Sequence, residues 1–172
     1  VHLVDSSAPG ELVIRGCRSV TIRGGVFGTT VLTDSVIAIA SARVHGAGRT
    51  GVSAPSITAA RTLLLVSRSI LEGPTATGGP GSVGTPNGPA IALDLAQMFV
   101  SAGSAVHAGR DPLGVGIATS AVVATSSQID IDPSAVVTGT GGAPPIVSDQ
   151  PVWRYPVPGL DATSGGPGGT LD

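Results

Sequence analysis

An all-β solenoid is the fold class this sequence predicts, and three observations carry it. Apolar and polar residues alternate with period two over short stretches, which marks strands and not helices. A unit of strand, break of small residues and second strand recurs along the chain, and recurrence of a supersecondary unit marks a stacked repeat architecture. Aromatic residues make up 2% of the 172 residues while 41% are hydrophobic. The core is therefore built of Val, Ile, Leu and Ala, which stack in columns when each strand pairs with its equivalent in the next coil, about 4.8 Å away.

Five segments superpose: residues 18–28, 36–46, 62–73, 98–109 and 122–132. In each, the second strand begins at Val26, Val44, Ile70, Val106 or Ile129, at intervals of 18, 26, 36 and 23 residues. Between them lie third apolar stretches at 12–14, 31–32, 52–57, 90–95 and 115–118. Three short strands per unit make one coil, and about five coils follow. Only residues 90–100 also fit a short helix, hemmed in by Gly88-Pro89 and Gly103. A β-sandwich of about eight to ten strands is the competing architecture, but it gives no reason for the recurring unit.

The stretch Glu11-Leu-Val-Ile-Arg-Gly-Cys-Arg-Ser-Val-Thr-Ile-Arg-Gly-Gly-Val-Phe-Gly28 resembles a coil of the right-handed parallel β-helix, the pectate-lyase-like repeat. From Val13 to Val26 it fits that family's pattern of a Cys followed by spaced Val and Ile residues. The resemblance covers roughly residues 1–140 and implies an all-β, right-handed parallel β-helix. It implies little about activity, because the repeat serves lyases, hydrolases, adhesins and fibres alike.

The domain expected is a β-helix over 1–138 with an extended Gly/Pro-rich tail or linker over 139–172. The Gly/Pro stretch 73–89 lengthens one coil, and so long a loop is functional or mobile. Within it, Gly79-Pro-Gly-Ser-Val-Gly84 spells G-x-G-x-x-G. It neither follows a strand nor opens a helix, so it carries no nucleotide reading.

Nine basic and eleven acidic side chains leave a formal charge of −2, which argues against a nucleic-acid partner. No apolar run approaches the roughly 18 residues of a membrane span. Every basic residue is Arg, and Asn87 is the one Asn, a usage that points to a GC-rich bacterial genome. Richness in Ser, Thr, Gly and Pro leads to an extracellular or cell-surface expectation. The chain opens on strand-like Val1-His2-Leu3-Val4, as a trimmed piece of something longer does. Cys17 stands alone, so it forms no intrachain disulfide; its place in the repeat suggests a small buried filler.

Enzymes on the resembled fold attack acidic polysaccharides. Likeness to polygalacturonases implies clustered aspartates, a Gly-His-Gly and an Arg-x-Lys. Val44-His45-Gly46 echoes the second in part, but Lys is absent and Asp residues are not paired. Asp34, Asp94 and Asp111 fall on different coils without a motif, and acid/base chemistry on sugars needs two carboxylates at a set separation. No catalytic residue is expected. His45 and His107 take matching outward positions with Leu71 on the coil between, about 10 Å apart and too far for one metal ion.

Gln128, Asp130 and Asp132 project from one strand face, where carboxylate oxygens suit a hard cation such as Ca²⁺. The plainer reading, and the favoured one, is a charged edge closing the last coil. No cofactor is expected otherwise. Trp153 and Tyr155, two residues apart, are the aromatic candidates: they form a sugar platform or, preferably, pin the tail to the helix. A Thr ladder of the ice-binding kind is missing.

The outward row is expected to run through Val36, Ala38 and Ala40, then Thr62, Leu64 and Val66, then Ala124. A sheet apolar on both faces is a covered sheet. Leu64, Val66, Trp153 and Tyr155 are accordingly the interface candidates. The function expected is a non-enzymatic, secreted structural or adhesive module. Its partners are further copies of the chain or neighbouring domains. The alternative is a polysaccharide-binding or polysaccharide-cleaving domain in which the 73–89 loop walls a groove near Asp130, Asp132 or His45. A third reading makes the chain a spacer within a larger surface protein.

Overall fold

Strand segments of two to five residues, each ended by a corner of small residues, build three parallel sheets in which every strand pairs with its equivalents one coil away. The computed structural model describes residues 1–47, 53–77, 86–112 and 117–157.

The first coil comprises β1 (His2–Val4), β2 (Ser7–Ala8) and β3 (Leu12–Arg15), the second β4 (Val20–Arg23), β5 (Val26–Phe27) and β6 (Thr30–Thr33). The third holds β7 (Val36–Ala40), β8 (Arg43–His45) and β9 (Ile57–Ala60), the fourth β10 (Leu63–Ser67), β11 (Ile70–Glu72) and β12 (Ile91–Asp94). The fifth holds β13 (Gln97–Val100), β14 (Ala105–His107) and β15 (Val122–Thr125), and the sixth β16 (Gln128–Ile131), β17 (Val136–Thr138) and β18 (Ile146–Ser148). A last strand, β19 (Val152–Arg154), starts a further coil. Sheet A is β1-β4-β7-β10-β13-β16-β19, sheet B runs from β2 to β17, and sheet C from β3 to β18.

The molecule is thus an all-β parallel β-helix. It has six coils and part of a seventh where about five were expected, because the first and last coils lack the features that made the others recognisable. The sheets also continue past residue 138: β18 pairs with β15, and β19 with β16. Residues 90–100 are two strands, not a helix, since their apolar residues alternate about a corner at Leu95-Ala96. The fifth expected unit is one strand out of phase. Val122–Thr125 belongs to sheet C and Gln128–Ile131 to sheet A, because both C-to-A and A-to-B corners are breaks of small residues.

Inward side chains stack as the pleat dictates. One column of sheet A runs Leu3, Ile22, Ile39, Val66, Val100 and Ile131, in direct register. A second runs Val20, Ile37, Leu64, Met98, Ile129 and Val152. Cys17, expected as a buried filler, is only partly buried against this core.

The corners are chemical as well as steric. At five of the six C-to-A corners, all but the last, a residue in the left-handed region (Gly16, Asp34, Arg61, Leu95 or Ser126) precedes a small residue. Where that second residue is Ser, it knits coils together. Ser35 Oγ donates to the Thr33 carbonyl at 2.8 Å and accepts from the Cys17 N–H at 3.0 Å. Ser127 Oγ does the same between Thr125 and Ala96, and Ser69 at an A-to-B corner between Ser67 and Ala42.

The long connections all fall at the B-to-C corner. Asn87, fully buried, joins three of them. Its Nδ2 lies 2.9 Å from the Ile117 carbonyl and 3.2 Å from both Thr119 Oγ1 and Thr140 Oγ1. Its Oδ1 accepts from the Ile117 N–H at 3.0 Å. Residues 79–84, with their G-x-G-x-x-G letters, lie outside the described residues, as do Val52, residues 113–116 and most of the Gly-rich end.

Candidate functional site

Sheet A carries the face on which most of the sequence candidates fall, and its register decides their fate. Leu64 pairs with Ile37 and Met98, so it points inward. It is 0% exposed and Val66 2%; the outward placement expected of both is wrong. The error is a one-residue slip, which moves a whole strand's side chains to the other face. The run Leu63-Leu-Leu-Val66 is apolar at every position, so alternation could not set its phase. The outward residues are Leu63 and Leu65, and the outer column reads Thr21, Ala38, Leu65, Phe99, Asp130 and Trp153. Ala124 leaves the row altogether, being a buried residue of sheet C.

The outer face is apolar over its middle, at β7, β10 and Phe99, through other residues than those expected. Leu65, Phe99, Ser67 and Val157 line a groove of about 240 Å³. After β19 the chain turns onto this face, and Val157 is buried there. Two aspartates hold the turn. Asp132 accepts the Val157 N–H at 3.1 Å through Oδ2, and the Ser134 N–H and hydroxyl at 2.9 and 2.6 Å through Oδ1. The Ser134 hydroxyl, then its N–H, hold the Asp132 carboxyl below the ordinary carboxylate range; burial opposes this, and the Val157 N–H adds to it. Burial beside Asp130 and a hydrogen bond to its carboxylate push the Tyr155 hydroxyl up. Asp130 itself is 1% exposed and accepts from Gln128 Nε2 at 2.7 Å.

The charged edge expected at 128–132 is therefore wrong. β16 is paired on both sides, by β13 and β19, and its carboxylates are roofed by the chain that follows. As candidate cation ligands, Asp130 and Asp132 instead receive protein donors. Among the described residues no three His, Cys, Asp or Glu side chains gather as a metal site requires. The aromatic pair also divides. Tyr155 belongs to the clasp, while Trp153 stands 56% exposed over Ser126, Ser127, Gln128, Gln150 and Pro151, lining a cleft of about 340 Å³.

A second polar group occupies the outer face of sheet B. His45, Glu72, His107 and Thr138 form one column in register. Glu72, and not the inward Leu71, lies between the histidines, because Leu71 pairs with Val44 and Val106 in the core. Arg43 donates twice to Glu72 Oε2, through Nε at 2.9 Å and Nη2 at 2.6 Å. Arg110 Nη2 approaches Oε1 at 3.8 Å and His45 Nδ1 approaches Oε2 at 4.0 Å. His107 Nδ1 meets Thr138 Oγ1 at 2.7 Å. A carboxylate so flanked is an ion-pair network tying three coils. Asp130 lies on β16 of sheet A, Asp132 follows that strand directly, and His45 lies on β8 of sheet B; residues 78–85 of the loop expected to wall a groove beside one or other of them lie outside the described residues.

Sequence reasoning missed Leu65, Phe99 and the Arg43–Glu72 pair. Phe99 was open to detection, since it lies between two residues, Met98 and Val100, whose alternation puts them inside. Arg43 and Glu72 are 29 residues apart, and only the coil length brings them together.

By its sheets and register the chain is a parallel β-helix. Comparison with protein-family models, with curated proteins and with solved structures finds no match to it.

Proposed function

We propose that this chain is a non-enzymatic structural β-helix module that associates with further copies of itself through the outer face of sheet A. The observation that carries the reading is the outward Leu65–Phe99 pair with its open apolar groove. A solvated sheet face alternates apolar-in with polar-out; this one adds Leu63, half-buried, and Val36, exposed. Exposed Val26, Ile70 and Val136 on sheet B extend the pattern, and charged residues, at 12% of the chain, offer little repulsion between copies. An extracellular or cell-surface setting, an adhesive role and kinship with the bacterial pectate-lyase-like repeat belong to the same proposal. They rest on composition and on the coil at 11–28.

The test is light scattering across a concentration series, with negative-stain microscopy of the same samples. Wild-type chain forms a defined oligomer or filament. Leu65→Asp shifts it toward monomer and leaves the β-sheet circular dichroism intact. Leu64→Asp, one position away, abolishes the fold instead, because it buries an unpaired charge. A monodisperse monomer at every concentration overturns the proposal.

A further inference from the structure

The chain's one Trp is spent on the surface. Trp153, on β19, exposes more than half of its area in a chain with few aromatics to form a core. An indole is normally kept where its apolar body is covered and its N–H is partnered. The cleft beside it is lined by Ser126, Ser127, Gln128, Gln150 and Pro151, none of them charged.

The surroundings hold this cleft in shape. Asp149 clamps the corner by accepting the Ser126 N–H at 2.7 and 2.9 Å. Ser148 Oγ accepts the Gln150 N–H at 3.1 Å. Gln128 spends Nε2 on Asp130, which orients its amide and leaves Oε1 as an acceptor. No hydrogen bond ties down the Gln150 side-chain amide or the Trp153 N–H among the described residues.

We propose that the Trp153 cleft binds a neutral saccharide. A pyranose ring has an apolar face of C–H groups and a rim of hydroxyls that both donate and accept. The indole face matches the first, and amide and hydroxyl groups, which also do both, match the second. The absence of a cation in the lining disfavours an acidic sugar, whose carboxylate would be desolvated there without a partner. At about 340 Å³ the cleft lies at the small end of ligand pockets, enough for a short stretch of a glycan and not for a wrapped chain. Trp153 stands in the same outer column of sheet A as Leu65 and Phe99, two strands beyond Phe99, but its cleft shares no lining residue with their groove, so saccharide binding and self-association are tested by different variants.

Because Trp153 is the sole Trp, its fluorescence reports the site directly. Titration of the full chain with cellohexaose, xylohexaose and mannohexaose produces a saturable change and shields the indole from iodide quenching with at least one of them. Hexagalacturonate does neither. By calorimetry, Trp153→Ala weakens that binding roughly tenfold or more and Gln150→Ala by roughly three- to tenfold. Trp153→Phe, which keeps a flat apolar ring, retains part of it. Thermal melts confirm that the variants fold. Failure of all three neutral hexasaccharides at millimolar concentration overturns the proposal. Binding that survives Trp153→Ala, or a preference for hexagalacturonate, does so too.

Discussion

Asn87 shows how much one residue can organise in a fold made of repeats. Its amide reaches residues of two later B-to-C connections, Gly109 to Thr119 and Thr140, and it has no exposure to water. Truncation to Ala strands buried donors and acceptors, which costs about 1–3 kcal/mol. Urea denaturation of Asn87→Ala measures this, and an unchanged midpoint would show that water replaces the amide. In the sequence Asn87 stood out as the one Asn, yet nothing local announced what it would bind. Its partners come from loops 20 to 50 or so residues away.

The clasp over sheet A makes a pH prediction at the same scale. Asp132 is held below its ordinary value of 3.8, so the folded state prefers the carboxylate. Its contribution is complete above that value and is lost as pH falls through the lowered one. Tyr155 is held above its ordinary value of 10.0, so the folded state prefers the neutral phenol. That contribution is complete below 10.0 and is lost as pH rises through the raised value. The strap is held most firmly between these limits. In a ¹⁵N-resolved NMR titration the Val157 amide moves with a midpoint below 3.8, and Asp132→Asn abolishes the movement. A midpoint at or above 3.8 counts against the clasp.

At the scale of elements, the corners matter more than the strands. Strands of two to five residues hold little by themselves, and each coil needs a sharp bend that hides no unpaired backbone group. A left-handed residue (Gly16, Asp34, Arg61, Leu95 or Ser126) makes the bend at five of the C-to-A corners, and at two of them the Ser after it satisfies the carbonyl two residues back and an N–H of the preceding coil. Leu95 is the least suited of these residues, with φ at 51° and the residue 58% exposed. A left-handed conformation costs an ordinary residue about 1–2 kcal/mol, and glycine escapes it. Leu95→Gly therefore stabilises the fold, by about 0.5–1 kcal/mol once the greater freedom of unfolded glycine is subtracted. Thermal unfolding of the variant shows a higher midpoint. A lower one would mean that Leu95 is covered in the assembled protein, which would bear on the association proposed above.

At the scale of the whole molecule, stacking turns small local errors into large functional ones. Alternation and the recurrence of strand, break and strand were enough to announce a parallel β-helix, because both follow from the pleat and from pairing between equivalent strands. They were enough, too, to mark the outer face of one sheet as unusually apolar. They could not say which residues make it so. In Leu63-Leu-Leu-Val66 every residue is apolar, so inward and outward are distinguished only by pairing with Ile37 and Met98. Likewise, Asp130 and Asp132 read as a charged edge until β19 and the turn to Val157 cover them. The sequence by itself determined the class of fold and the identity of the small-residue corners. The tertiary structure alone decided register, the roof over sheet A and the exposure of Trp153. Those depend on contacts between residues some twenty to thirty positions apart, and coils of unequal length give no local signal of which residue will stack on which.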